Sequence, residues 1–554
     1  MLTSIPSLLP RLGLLAALTA SSLAAQAQVA APVWASVRRS SGIAGDFARA
    51  TKVVLAADGS QLVSGAFDGS MTLDGQTLTV SQGQVGLFLA KYNANGTLAW
   101  LRQGVLSSHE EGGVTVSVDA AGNAYLVGYF TDYVTFGSTT LNTTNNYADA
   151  FVYKFDPQGN VLWARSGGVT NGDAYCVGSA TDAAGNVYLT GDFTGSLGFG
   201  GPAVSPVSPS SDVYICKLTP AGTVAWIRTG GSANSDVSNA IAVDAAGNAY
   251  ITGATSVVAT FGNVVLPSLG EEDLFLTKYD AQGNVLWARR TGGVNYDRGT
   301  ALAVDAATGS VAVAGAADYT FDINSSQSSI YVARYSDQGV LAWERKITPT
   351  EPDLYSGYGV AFDNRGGLYM TGDFQGNVTF GPTTLTAAEQ DMYAVRFDSR
   401  GNAVWADRVG GSNTNFGAAI GLAVNTDPSG NAYFAGAVLG TVNFGSIVSQ
   451  GNSVDMFVAK LNAGGTLTAA RGAVAELPLS VYPNPAAGRA TLVLPAGGGR
   501  LVLSDVLGRP VREQALPAVA GPCPVELTGL TPGLYLLRAT LGNGQTASAR
   551  LTVR

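Results

Sequence analysis

Residues 114–130 read VTVSVDAAGNAYLVGYF, residues 134–137 VTFG, and residues 149–167 DAFVYKFDPQGNVLWARSG. The stretch holds four runs of strand-like apolar content. The turns that break it are Asp119-Ala-Ala-Gly122-Asn123 and Asp156-Pro-Gln-Gly159-Asn160. In each turn the Asp bonds its own backbone and the Gly takes the φ > 0 position, which predicts tight hairpin loops. The same stretch returns along most of the chain. Tryptophans stand at Trp34, Trp100, Trp163, Trp226, Trp287, Trp343 and Trp405, a period of about 60 residues that marks a repeat architecture. A basic residue recurs on the strand before the tryptophan: Lys91, Lys154, Lys217, Lys278, Arg334, Arg396 and Lys460. Three residues ahead of each base sits an aromatic: Phe88, Phe151, Tyr214, Phe275, Tyr331, Tyr393 and Phe457.

Each repeat reads as four strands, a to d. Strand a is small and apolar, as in Ala240-Ile-Ala-Val-Asp244, and strand b is a Tyr-x-x-Gly run such as Tyr250 to Gly253. A Thr-Phe-Gly segment follows as a small hairpin. Strand c carries the aromatic and the base, and strand d carries Trp-Ala-Arg or a variant. Four-stranded units repeated radially predict an all-β, seven-bladed β-propeller, whose sheet edges are short and protected. The repeats fall at about 46–103, 110–168, 172–231, 236–293, 297–347, 356–411 and 415–472. The last lacks its tryptophan, and Trp34 in PVWASVRRSSG reads as a displaced strand d. Residues 28–40 are therefore expected to close the ring beside Phe457. The recurring bases are expected to lay their methylenes on a neighbouring sheet with the charge at the rim, and the tryptophans to serve as core.

The units resemble bacterial seven-bladed propeller repeats with DAFVAKL-like strands and a following LW. DAFVYKFDPQGNVLW (149–163) and DLFLTKYDAQGNVLW (273–287) carry the likeness, which covers 28–472. That resemblance implies a fold and no shared chemistry. After a short linker at 473–477, residues 478–554 change character: LSVYPNPAAGRATLVL, RLVLSDVLGRPV, LTGLTPGLYLLRATL and ASARLTVR read as a small Ig-like β-sandwich. Tyr482-Pro-Asn-Pro485, Asp505-Val-Leu-Gly508-Arg, Pro532-Gly-Leu-Tyr535 and Arg550-Leu-Thr-Val-Arg554 resemble the type A C-terminal sorting domain of the type IX secretion system. The resemblance implies the secretion machinery as a partner and a secreted or outer-surface location.

Composition narrows the chemistry. The 554 residues include 71 Gly, 13% charged residues and a formal net charge of −9, which suits turn-rich β structure and disfavours nucleic-acid binding. One histidine, His109, leaves little room for His-based nucleophilic catalysis or transition-metal sites. Cys176 and Cys216 read as small buried apolar residues. Residues 1–27 read as a secretory signal cut between Ala27 and Gln28, and no later run is long enough to span a membrane.

In a propeller the a–b and c–d turns emerge on one face, here the near-identical Asp-x-x-Gly-Asn turns. The b–c and d–a loops emerge on the other and hold the variation. Binding residues ride on variable loops of a rigid scaffold, so the candidates are Glu110, Glu111, Tyr147, Glu271, Glu272, Tyr296, Asp353 and Glu389. No residue is assigned a catalytic, cofactor or metal-ligating role. The expected function is a monomeric, non-catalytic interaction or adhesion protein with a glycan or protein ligand. The competing reading is a carbohydrate-active enzyme with paired loop-face carboxylates such as Glu111 and Glu272.

Overall fold

The computed structural model describes residues 31–554, apart from 44, 108–113, 144–146, 169, 321–326, 352, 354, 412–416, 465–476, 495–497, 505–509, 520 and 542–545. Every regular element among the described residues is a strand. The chain divides into two compact units, Ala31–Gly464 and one containing Gly465–Arg554.

In the larger unit, the stretch quoted above folds as an antiparallel meander of Thr115–Val118, Ala124–Phe130, Asp149–Phe155 and Val161–Ser166, paired in that order. The first meander lies at 47–106. After the quoted one, the same a–b–c–d order recurs at 178–231, 237–291, 296–347 and 357–410. The last sheet is Gly417–Thr426, Ala432–Phe444 and Ile447–Asn462, and its fourth strand is Val33–Arg39 from the other end of the chain. There Trp34 faces Leu461 and Arg39 faces Phe457, with a bulge after Trp34. The Thr-Phe-Gly segments do form hairpins: Tyr133–Phe136 with Thr139–Asn142, and Ala259–Phe261 with Val264–Leu266. Each of these hairpins bonds strand d of the preceding sheet, which links sheet to sheet.

Two packing facts position everything else. Residues from strand a of each sheet, Thr51, Thr115, Ser179, Ala240, Ala301, Val360 and Val424, line one central cavity of about 200 Å³. Small side chains let those backbones converge. Outside them, the aromatics of strands b and c fill the space between sheets, where Tyr125, Phe151, Tyr188 and Tyr214 have no exposed surface.

The smaller unit has a five-stranded and a three-stranded sheet around its own core, which includes Leu492, Leu503, Leu537 and Leu551. Asn484 clamps the final strand, donating from Nδ2 to Arg550 O (2.7 Å) and accepting from Thr552 N (2.9 Å). The Tyr535 hydroxyl donates to Thr531 O at 2.8 Å. The Tyr-Pro-Asn-Pro and Pro-Gly-Leu-Tyr motifs thus act as ties between strands and turns. The Asp505–Arg509 motif lies outside the described residues.

Candidate binding cleft

The repeated residues are mostly consumed by structure. Asp119 Oδ1 accepts from Ala121 N (3.0 Å) and Asn123 N (2.9 Å), and its Oδ2 accepts from Asn123 Nδ2 (2.8 Å), with Gly122 at φ +81°. The tryptophans staple sheets together: Nε1 of Trp100, Trp163, Trp226 and Trp287 donates to Pro157, Pro220, Ala281 and Asp337 carbonyls in the next sheet's c–d turn. Trp34, Trp100 and Trp287 are buried, and the other four are partly covered.

The lysines differ from expectation. Lys91, Lys154, Lys217 and Lys278 are buried, not rim-charged. Each Nζ donates to the same turn carbonyl as the tryptophan beside it. Three of them, Lys154, Lys217 and Lys278, lie over the strand-b tyrosine of their own sheet. Lys217 also pairs with Asp182 at 3.3 Å. A carbonyl, an aromatic face and an aspartate replace the water that a charged amine would otherwise seek. Cys176 and Cys216 are free and buried, and burial pushes the Cys176 thiol up to about 12.

The b–c and d–a side carries a cleft of about 290 Å³ between the fifth sheet (296–347) and the sixth (357–410). Tyr296, Tyr319, Tyr355 and Tyr358 line it, with Glu272, Arg298 and Ser328. The local cause is the start of strand Tyr296–Val304, which bulges between Tyr296 and Arg298. Asp297, inside the bulge, turns inward and accepts from Gly293 N and Asp318 N at 3.0 Å each. Its neighbours Tyr296 and Arg298 are thereby directed to the cleft. Arg298 Nη2 donates to Glu272 Oε2 at 2.8 Å, and the Tyr296 and Tyr319 rings meet edge to face at 6.0 Å. Tyr355 is 1% exposed, and its hydroxyl is buried. Burial first, then the nearby Asp353 and Asp373 carboxylates, push it up to about 12. Burial likewise lifts Asp373 to about 6.

Of the residues singled out from sequence, Glu272 and Tyr296 meet in this cleft. Asp353 is exposed next to it, close enough to act on Tyr355 and Tyr358. Glu271, Tyr147 and Glu389 are exposed and do not line it. Glu110, Glu111, Ala27 and Gln28 lie outside the described residues. Tyr319, Tyr355 and Tyr358 were not singled out. Their signal was faint: Tyr355-Ser-Gly-Tyr358 places two rings at the entry to strand a, where Asp236-Val-Ser-Asn239 has none. Among the described residues, no three His, Cys, Asp or Glu side chains form a metal-holding group, and no helix is long and apolar enough to cross a membrane.

Compared with known proteins, the chain is 22% identical to an uncharacterised WD repeat-containing protein of Acanthamoeba polyphaga mimivirus, over 62% of this chain and 30% of that one. It is 31% identical to the regulatory protein FlaEY of Caulobacter vibrioides over 24% of this chain and 15% of that one. The chain thus spans under a third of the length of either relative. Among solved structures it is similar to PorZ, a surface component of the type-IX secretion system of Porphyromonas gingivalis: 12% identity, 92% and 82% coverage, TM-score 0.24. It is also similar to the WD40 domain of SCAP from fission yeast, with 8% identity, 77% and 99% coverage, and TM-score 0.29. Residues 480–554 match the family described as the secretion system C-terminal sorting domain. The chain therefore carries the address of the type IX secretion system and is exported to the outer cell surface or released beyond it.

Proposed function

We propose that this exported chain is a non-catalytic binding protein, built as a closed seven-bladed ring, whose ligand site is the tyrosine cleft. The ring reading is supported by the meanders that each send strand a to one central cavity, and by Val33–Arg39 completing the last sheet. Such closure removes the free edge that a strand leaves at each end of an open array. The leader at 1–27 is taken to be cut after Ala27. The Ig-like module at 478–554 is taken to be removed during export, leaving the ring released or attached at the surface.

The observation that carries the binding reading is the cleft itself: four tyrosines and an Arg–Glu pair around about 290 Å³. Tyrosine rings offer flat apolar faces with polar edges, and the cleft has the size and mixed lining of a small-ligand site. A pyranose ring, apolar on one face and hydroxylated at its edge, is the ligand class that matches. A glycosidase would need two carboxylates flanking the bond; among the described residues that line the cleft, Glu272 is the single carboxylate, and it is already held by Arg298.

The test is a glycan array probed with the purified protein and with Tyr319→Ala and Tyr358→Ala. Binding should concentrate on a related set of sugars and weaken at least about tenfold in either variant, the loss of roughly one buried aromatic contact. Binding that ignores both substitutions would remove the cleft from the account.

A further inference from the structure

Most sheets place an aspartate two residues ahead of the strand-c aromatic: Asp149, Asp212, Asp273, Asp391 and Asp455, all buried. Across the ladder from that aromatic, strand d supplies Ser166, Thr229, Arg290, Arg408 and Arg39 respectively. Where the residue is arginine, it neutralises the aspartate. Arg290 Nε lies 2.9 Å from Asp273, Arg39 Nε 2.7 Å from Asp455, and Arg408 pairs with Asp391.

Among the described residues, Asp212 has no such partner. It has no exposed surface, Thr229 stands where three of its counterparts have arginine, and its Oδ1 is buried without a hydrogen bond among the described residues. Its Oδ2 accepts from Val207 N. A second carboxylate, Asp236 (1% exposed), faces the same spot. A Cβ built on Gly231 would lie 2.7 Å from Asp212 Oδ1 and 2.7 Å from Asp236 Oδ2. The two oxygens therefore converge, no further apart than twice that distance. Asp236 is held in place by Ser232 N, Ser232 Oγ and Ser256 N. The charges that reach the pair are more distant or already engaged. Arg290 acts on Asp236 but is bonded to Asp273.

Two buried carboxylates with no basic side chain between them are costly to keep ionised. We propose that Asp212 and Asp236 hold a hard divalent cation, calcium above all, in the place that arginine fills in three sibling sheets. The donors are all oxygen, which selects hard cations over transition metals. Two carboxylates balance one divalent charge, and the rest of the shell comes from neutral oxygens. A site with so few charged ligands belongs to the weak extracellular class, with Kd on the order of 10⁻⁴–10⁻³ M. That range suits a protein working outside the cell.

The experiment uses the purified full chain, freed of metal with a chelator and titrated with calcium chloride. Binding is followed by calorimetry, and thermal midpoint by scanning. The wild type should bind calcium in the submillimolar to millimolar range and melt higher when loaded. Thr229→Arg, which restores the siblings' guanidinium, should weaken that binding at least tenfold while melting in chelator at or above the wild-type temperature. Asp236→Asn should weaken binding to a similar degree and decides the matter if Thr229→Arg does not fold. A wild type with no calcium response would overturn the proposal, since the pair would then be held by a proton. Unchanged binding in a folded Thr229→Arg, or in Asp236→Asn, would overturn it equally.

Discussion

Asp156 shows what one residue contributes here. Its Oδ1 accepts from Gln158 N (2.9 Å) and Asn160 N (2.8 Å), and its Oδ2 from Asn160 Nδ2 (2.8 Å). Burial pulls its pKa upward, but these hydrogen bonds outweigh it and hold the carboxyl below its ordinary value. Asp156→Ala should cost about 1–2 kcal/mol, the net worth of such exposed bonds, and leave ligand binding alone; chemical denaturation and a binding titration check the two halves. Gly401 carries a second constraint. It sits at φ +77°, and a Cβ there would stand 2.5 Å from Trp343 Cδ2 of the preceding sheet. Gly401→Ala combines left-handed strain with an aromatic clash and should cost about 2–4 kcal/mol by denaturant melts. The turn role of such glycines was legible in the sequence because it is local. Their place under a tryptophan more than fifty residues away in sequence was not, because sheet-to-sheet packing creates it.

Among the elements, Val33–Arg39 is the most exposed to test. It covers the edge of Ile447–Asn462. Trp34 packs against Phe434 and Phe444 with ring centroids 5.3 Å away, and Arg39 pairs with buried Asp455. Deleting residues through 40 should cost several kcal/mol, since it empties an aromatic site, strands a buried carboxylate and bares an edge. An unchanged melting temperature in that truncation would contradict the role. The strand pattern was readable because Tyr-x-x-Gly and Lys…Trp repeat in register. The cleft was only half readable. Glu272 ends a variable b–c loop and Tyr296 opens a strand a after a variable d–a loop, whereas Tyr355 and Tyr358 reach the site only because the sixth sheet packs beside the fifth. The lysines misled for a related reason: a periodic base looks solvated until the next sheet's carbonyls are in place.

For the whole molecule, two opposed sets of aspartates set the pH response. Burial raises Asp192, Asp236, Asp373 and Asp391 to about 6, against an unfolded value of about 4. Their folded forms hold protons more tightly, so the stability they contribute is present at about pH 4 and is lost as pH rises through about 6. Asp58, Asp156, Asp182, Asp280 and Asp398 are lowered. Their contribution holds above about pH 4 and is lost in stronger acid. In calcium-free buffer the melting temperature should therefore be higher near pH 5 than near pH 7 and fall below about pH 4; a scan showing a steady decline from 7 to 5 would contradict the assignment.

The export address rests on motifs near the end of the chain, and these were legible because Tyr482-Pro-Asn-Pro485 and Pro532-Gly-Leu-Tyr535 are contiguous in sequence. The measurement that tests this most directly is fractionation of cells carrying the full chain or the chain without residues 478–554. The full chain should be found on the outer surface or in the medium, and the shortened one should collect in the periplasm. A shortened chain that reached the surface or medium in normal amount would contradict the account.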